Sequence, residues 1–198
     1  ETSEAPVKPP QGPTLCQGPN TPNTRLRSWF PLTDSLVTPE KLGIPPYSAS
    51  PEEAAATVKQ AAILFGAARV GITGLDPRHL YSHDCDGKAV VREAVETPYE
   101  TDEKRVIPAK CRWVIVLLLH MPYDAFRCAP DPLGSVVPLV TYTRMEVLLG
   151  QMAEFLRALG YTAIPSANDT APNGPFAVEA GLGEQCRAER PGATWEDL

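Results

Sequence analysis

The protein has 198 residues, a length typical of one domain with a substantial core, or of one domain with a tail. Its 18 basic and 24 acidic side chains leave a formal net charge of −6, which argues against a general nucleic-acid binder. The longest strongly apolar run has only seven residues, 113–119, whereas about 20 are needed to cross a bilayer. We therefore expect no membrane-spanning helix. The first residue is Glu1 rather than methionine, which predicts a processed product whose targeting segment is not visible.

Cysteine and histidine spacing bounds the metal chemistry of the chain. The five cysteines stand at positions 16, 85, 111, 128 and 186. They form no C-x-x-C pair, so the spacing predicts neither a structural zinc site nor a cysteine-rich iron–sulfur segment. His79 and His83 have the i, i+4 spacing that would suit a metal ion on a helix. A solvated loop is the better interpretation of this stretch, and we predict no metal site.

The first 49 residues predict an irregular, proline-rich arm. Ten of the 22 prolines fall within residues 1–46, where no apolar periodicity is sustained. Five apolar side chains in the second half of this arm indicate that it packs on the body of the protein: Leu26, Trp29, Phe30, Leu32 and Leu36.

Two segments carry helix start and stop signals. Ser50 and Glu53 form a capping-box pattern around Pro51, and Gly66 is a natural stop, so we predict a helix over residues 50–65. A second capping-box pattern at Thr143 predicts a helix over residues 143–159. The proline-rich residues 121–138 before it are predicted to form a loop.

Apolar runs predict strands between and after these helices. Short strands are expected over residues 68–73 and 161–164, and a central buried strand over residues 112–119. Residues 76–110 are expected to form a loop with a short hairpin, and residues 176–180 one helical turn. The order helix, strand, strand, helix, strand predicts an α/β or α+β layered domain.

Two polar features could carry chemistry. Tyr142, predicted just before or at the start of the second helix, could donate a proton, because a phenol with an ordinary pKa near ~10 stays protonated at neutral pH. Packing is the alternative. The loop of residues 166–175 gathers amide, carboxylate and hydroxyl groups, and it predicts either a turn or a polar wall that holds a ligand. Its polar members are Asn168, Asp169, Thr170 and Asn173.

The segment from this loop outward resembles a known family. Residues 159–185, LGYTAIPSANDTAPNGPFAVEAGLGEQ, resemble the core segment of the corrinoid-dependent reductive dehalogenases. Residues 62–72, 97–102 and 107–116 resemble other parts of the same family, so that the likeness covers residues 50–187. Epoxyqueuosine reductases share only a weaker form of the 159–185 block, and their catalytic acid is an aspartate.

The resemblance implies a fold, a cofactor and a reaction. Residues 50–187 would form a corrinoid-binding domain, an α+β, nitroreductase-like layered sandwich that holds cobalamin, and the complete enzyme would use two 4Fe–4S clusters. A halogenated organic substrate would lose halide and gain a proton. The family's tyrosine proton donor falls on Tyr142, and its pocket-lining asparagine falls on Asn168. Four residues would contact the cofactor: Asn168, Asp169, Thr170 and Asn173.

The same resemblance implies a setting. Family members are exported by the twin-arginine route and act at the outer, periplasmic face of the cytoplasmic membrane, with a membrane anchor protein and an electron donor, in some cases as homodimers. A cytoplasmic location is the alternative. Residues 188–198 depart from the family pattern, and no cysteine-rich segment follows, which predicts a chain truncated before its iron–sulfur segment and incomplete for turnover. The alternative functions are a truncated, non-catalytic corrinoid-binding module and, less favoured, a relative of the epoxyqueuosine reductases.

Overall fold

The computed structural model describes residues 37–84, 86–167 and 169–184, so most of the predicted arm and the predicted tail of residues 188–198 lie outside the described residues. The helices are α1 (Pro39–Leu42), α2 (Pro51–Leu64), α3 (Tyr123–Phe126), α4 (Pro132–Ala158) and α5 (Asn173–Glu179). The strands are β1 (Arg69–Gly74), β2 (Ala89–Glu93), β3 (Tyr99–Glu100), β4 (Lys104–Pro108) and β5 (Trp113–Leu118). One turn of 3₁₀ helix spans Pro77–His79.

The strands form two small sheets. β1 pairs antiparallel with β5, with Gly71 opposite Val116, so the two predicted apolar strands are confirmed and lie side by side. In the second sheet β4 is central, parallel to β2 and antiparallel to β3. The hairpin expected within residues 76–110 is confirmed as β3–β4. The sequence pattern did not reveal β2. Its partner is the parallel strand β4, and β3 lies between the two in the sequence.

Helix α2 forms as its end signals predict. The Ser50 hydroxyl accepts a hydrogen bond from the Glu53 amide at 3.3 Å, and the Ser50 amide donates to Glu53 Oε2 at 3.1 Å. Pro51 occupies the first helical position, where its missing N–H costs nothing. The helix buries Ala61 and Ala62 and leaves its first turn exposed. The capping box therefore works here as its sequence pattern indicates.

Helix α4 is much longer than predicted, and the predicted loop over residues 121–138 and the predicted start at Thr143 are both wrong. The helix begins at Pro132 and includes Pro138, and its upstream turns bury Val137. The Thr143 hydroxyl does not cap a helix, because it donates to the Leu139 carbonyl one turn earlier at 3.1 Å. Pro132 is a favourable first residue, and Pro138 removes only one backbone hydrogen bond, so packing of the upstream turns outweighs the loop signal.

The predicted strand over residues 161–164 is also wrong. After Gly160, which has a positive φ of 93°, the chain runs on without joining a sheet. The Tyr161 amide donates to the Leu156 carbonyl at 3.0 Å, and Arg157 Nη2 donates to the Ala163 carbonyl at 2.9 Å. These polar groups are satisfied by the end of α4, so the segment needs no strand partner.

The β1–β5 sheet lies between two helical layers. Alternate residues of β5 point to opposite faces: Leu117 packs in one core cluster, and Val116 packs in another. The first cluster joins α2 and α4 to the sheet through Ala62, Ala67, Leu148 and Met152. The second joins α5 through Ala171, Phe176 and Ala177. The described residues form a mixed helix-and-strand architecture, and the predicted α+β class, the nitroreductase likeness and the domain boundaries stay predictions.

Outside these layers, a third, smaller cluster sits on the second sheet, where Val90 and Ile107 are buried against Ile164. Ile164 belongs to the segment that leads into the polar loop, so its packing in this cluster holds the start of the loop against the second sheet. Within the described residues, no helix combines the length and the apolar character needed to cross a bilayer.

Candidate functional site

The polar loop of residues 166–172 is organised around the carboxylate of Asp169. Asp169 Oδ1 accepts hydrogen bonds from the Ala167 amide at 3.1 Å and from the hydroxyls of Ser166 and Thr170, each at 3.3 Å. Such a carboxylate, which accepts from its own turn, is a common way to hold an irregular loop in one conformation. The predicted site residue Asn168 lies outside the described residues, between the two halves of this turn.

A partly buried arginine from the second sheet lies close to the same carboxylate. Arg105, on β4, places Nη1 3.3 Å from Asp169 Oδ2 and Nε 3.1 Å from Asp84 Oδ2. The side chain of Asp84 is 0% exposed, that of Arg105 14% and that of Asp169 15%. Glu100 lies 3.5 Å from the same Nε and pairs with Lys88. Sequence reasoning missed Arg105 and Asp84, because no local pattern links them to the loop.

The downstream half of the loop is held by backbone bonding and burial. The Thr170 carbonyl accepts from the Tyr81 amide at 3.0 Å, and the Thr170 side chain is buried. Ala171 is buried in the α5 core cluster, after which Asn173 begins α5 at an exposed position. The loop prediction is thus confirmed as far as residue 172. Residues 173–175 are helical instead, and the predicted helical turn begins at Asn173 rather than at Phe176.

Tyr142 lies in the interior of α4, not at a helix start as predicted. Its side chain is half-buried. Helix α4 packs on the β5 face that carries Leu117, whereas α5 packs on the face that carries Val116. The two sequence-predicted features therefore belong to different layers. The roles assigned to Tyr142 and to the loop residues stay predictions.

A cleft opens beside the helical turn that follows Tyr142. It has a volume of about 320 Å³ and lies between the end of α2, the end of β5 and α4. Its lining residues are Phe65, Gly66, Leu119, His120, Thr143, Arg144, Val147 and Leu148. His120 and Arg144 are ionisable groups in this cleft that sequence reasoning missed. The position of His120, directly after the apolar strand, is the signal that could have indicated it.

The two histidines considered for a metal ion do not share a helix face. His83 forms an isolated bridge with Ala89, whereas His79 lies in the 3₁₀ turn with Nδ1 3.5 Å from Glu179 Oε1. Possible ligand atoms of Asp76, His79 and Glu179 lie within 4.8 Å of one another. Arg78 already occupies the Asp76 carboxylate, and this hydrogen bonding lowers the Asp76 pKa to about 2. The arrangement fastens the 3₁₀ turn to the end of α5.

Two cysteines are described, and they stand apart. Cys111 follows β4 and is half-buried, and burial raises the pKa of its thiol. Cys128 follows α3, is exposed, and donates to the Asp124 carbonyl at 3.4 Å. A 4Fe–4S cluster needs a set of four thiolates. The cysteines within the described ranges do not fit such a cluster.

Comparison with known proteins relates the chain to one family. A family described as "Reductive dehalogenase subunit" matches residues 28–98. The tetrachloroethene reductive dehalogenase of Sulfurospirillum multivorans is 34% identical over 158 residues, which cover 72% of this chain and 32% of that protein.

The tetrachloroethene reductive dehalogenase of Dehalobacter restrictus is 34% identical over 164 residues, which cover 70% of this chain and 29% of that protein. The corresponding protein of Desulfitobacterium hafniense is 35% identical over 162 residues, again 70% of this chain and 29% of the relative. The chain thus spans about a third of the length of the curated relatives it matches. On this similarity the chain belongs to the reductive dehalogenase family.

Proposed function

We propose that the protein takes part in the corrinoid-dependent reductive dehalogenation of a halogenated organic compound. The observation that carries this proposal is the similarity to three tetrachloroethene reductive dehalogenases over 70% or more of the chain. A chlorinated alkene is the first substrate class to test, because the relatives are named for one. In the reaction a carbon–halogen bond breaks, two electrons and a proton are consumed, a carbon–hydrogen bond forms, and halide leaves.

The described part of the polar loop suits a corrinoid. The side-chain amides and nucleotide of cobalamin form hydrogen bonds, and the side-chain amide of the exposed Asn173 carries both a donor and an acceptor of that kind. A Cβ atom built on Gly174 meets nothing within 4 Å, so the first turn of α5 borders open space. We propose that Asn168, Asp169, Thr170 and Asn173 hold the cofactor. When bound, cobalamin supplies the reducing power for carbon–halogen cleavage.

We propose that Tyr142 donates the proton and that Asn168 orients the substrate. A phenol keeps its proton at neutral pH unless its surroundings lower its pKa, so it can give that proton when negative charge develops on the substrate carbon. Half-burial in α4 holds the ring in place while leaving part of it accessible. The neighbouring Thr143 and Arg144 line the adjacent cleft, so this turn of α4 borders a space of about 320 Å³.

Electron delivery involves groups beyond the described residues. The two described cysteines do not fit a 4Fe–4S cluster. By analogy with the family, we propose an external electron donor, a membrane anchor protein and action at the outer face of the cytoplasmic membrane, with a homodimer as the assembly. A truncated, corrinoid-binding module without catalysis is the alternative that the following experiment distinguishes.

Reconstitution tests the proposed function directly. The full-length protein is incubated with cobalamin, its visible absorption spectrum is recorded, and chloride release from tetrachloroethene is followed with a strong artificial reductant. A bound corrinoid together with chloride release above that of free cobalamin is the expected result. Binding without chloride release would favour the non-catalytic module, and a protein that binds no corrinoid would refute the proposal.

The role of Tyr142 is tested by Tyr142→Phe, which removes one hydroxyl. We expect unchanged cobalamin affinity and a loss of dehalogenation by about two orders of magnitude or more, the range typical of a positioned acid. Tyr123→Phe is the matched control, because Tyr123 is an exposed tyrosine on α3. Equal steady-state rates of dehalogenation for Tyr142→Phe and the unmodified protein would show that Tyr142 is not the proton donor.

Asn168 is tested by comparing turnover with stability. Asn168→Ala should lower dehalogenation much more than it lowers the melting temperature, because the amide is assigned to the substrate and not to the core. A parallel loss of activity and melting temperature would show that the residue is structural only.

A further inference from the structure

We propose that Arg105 is the positioning residue of the polar loop of residues 166–172. It fixes Asp169 against the second sheet, and through Asp169 it sets the place of the polar loop. This inference deepens the proposed function and rests on it. It adds a residue that lies 64 positions upstream of Asp169 in the sequence and outside every motif of the loop.

The geometry of Arg105 places it among three carboxylates, of which Glu100 lies 3.5 Å from Nε and also pairs with Lys88. Its Nε lies 3.1 Å from Asp84 Oδ2, and its Nη1 lies 3.3 Å from Asp169 Oδ2. Asp84 is itself fastened, because its Oδ1 accepts from the amides of Asp86 at 2.9 Å and Lys88 at 2.8 Å. The guanidinium therefore connects a rigid, fully buried carboxylate to the carboxylate that organises the loop.

The strand that carries Arg105 is the most deeply buried part of the second sheet. Val106, Ile107 and Pro108, which follow Arg105 on β4, are all buried. The described residues of the loop, in contrast, form no strand or helix before Asn173. Arg105 thus attaches an irregular segment to a buried strand. Binding residues that lie on a loop need such support to keep their positions.

An arginine is required for this role because two different nitrogens are used. The planar guanidinium holds Nε and Nη1 in a rigid fork, so that Nε is in an ion pair with Asp84 while Nη1 donates to Asp169 Oδ2. A lysine has one ammonium group on a flexible stem. Arg105→Lys would keep a positive charge beside the buried Asp84, which avoids an unpaired buried carboxylate, and would lose the simultaneous contact with Asp169. This variant therefore separates folding from positioning.

The test compares Arg105→Lys with Arg92→Lys in the full-length protein. Arg92 lies on β2 of the same sheet and donates to the carbonyls of Ala109 at 3.0 Å and Cys111 at 3.1 Å, not to the loop, so its replacement is a matched control for the arginine-to-lysine change. Two quantities are measured: the dissociation constant for cobalamin, from absorption titration, and amide hydrogen exchange of residues 166–172 without cobalamin.

Arg105→Lys should weaken cobalamin binding by about tenfold, which corresponds to the loss of one charge-assisted hydrogen bond. Hydrogen exchange in the loop should rise by a similar factor, while β4 stays protected. Arg92→Lys should leave both loop quantities unchanged. Asp169→Asn alone should weaken cobalamin binding. In a protein that already carries Arg105→Lys, Asp169→Asn should raise the dissociation constant for cobalamin by less than about twofold more, because the two side chains act as one unit.

Each failure has a distinct signature. Unchanged loop exchange and cobalamin affinity in Arg105→Lys would overturn the positioning role, and so would full additivity with Asp169→Asn. If the unmodified protein binds no cobalamin, the proposed function fails and this inference fails with it. Loss of cobalamin affinity accompanied by exchange throughout β4 would show a general loss of structure and would also overturn the specific role.

Discussion

Replacement of Gly71 by alanine should destabilise the protein, because this glycine lets the end of α5 approach β1. Gly71 is a buried residue of β1, opposite Val116. A Cβ atom built there would lie 2.6 Å from Ala180 Cβ, 2.9 Å from Leu182 Cγ and 3.0 Å from the Ala180 carbonyl oxygen. Both residues follow directly on α5, so the added methyl group would push against the helix that continues from the polar loop.

The expected size follows from these distances. Carbon atoms in contact lie about 3.5–4.0 Å apart, so the 2.6 Å approach to Ala180 is about 1 Å too short and the backbone of one element must move. Overpacking of this kind costs roughly 1–3 kcal/mol. Alanine also restricts the unfolded chain, which offsets about 0.4–1 kcal/mol. We expect a net loss of about 1–2 kcal/mol in the free energy of unfolding, or a melting temperature lower by roughly 2–8 °C.

Gly74→Ala is the matched control, because Gly74 ends the same strand and a Cβ atom built on it meets nothing within 4 Å. Equilibrium denaturation and thermal melting of the two variants should show a loss for Gly71→Ala and an unchanged or slightly raised stability for Gly74→Ala. If both variants melt together, or if Gly71→Ala is the more stable, the close approach of α5 to β1 is not what the structure indicates.

Three further predictions concern local features. Ser50→Ala should lower the free energy of unfolding by about 1 kcal/mol in a denaturant titration, because it removes the α2 cap. Ser50→Asp should retain most of the stability that the cap provides, because aspartate also caps helices. Equal losses of stability in the two variants would contradict the capping role. Cys128 should be alkylated faster than Cys111 at neutral pH in peptide mapping, because burial raises the pKa of the Cys111 thiol; the reverse order would refute this. The Asp76 carboxyl should titrate at about 2 by NMR, below its ordinary pKa, because of its hydrogen bonds with Arg78. Its contribution to stability is therefore present above the ordinary pKa and lost as the pH falls toward 2, and an unchanged Asp76 pKa in Arg78→Gln would exclude this cause.

Where local chemistry suffices, the sequence predicted the structure. The Ser50 capping box and the stop at Gly66 act through neighbours within a few residues, and both are confirmed. The β-branched runs also predicted β1 and β5, although the hydrogen bonds of these strands come from their pairing with each other. The loop of residues 166–172 was likewise predictable, because Asp169 bonds within its own turn.

Where distant partners decide, the sequence failed or was silent. Prolines upstream of residue 143 predicted a loop, yet packing of turns such as that of Val137 extends α4 back to Pro132. The apolar residues 161–164 predicted a strand, yet a strand requires a partner, and their backbone bonds to the end of α4 instead.

The amino-acid order alone therefore determined helix α2, the end of α4, the positions of β1 and β5, and the family to which the chain belongs. Tertiary structure alone decided that β2 joins β4, that Tyr142 lies inside a long helix, and that Arg105 connects Asp84 to Asp169. The reason is physical: caps and turns are satisfied by adjacent groups, whereas a buried charge or an unpaired strand is satisfied by whichever distant segment the folded chain brings to it.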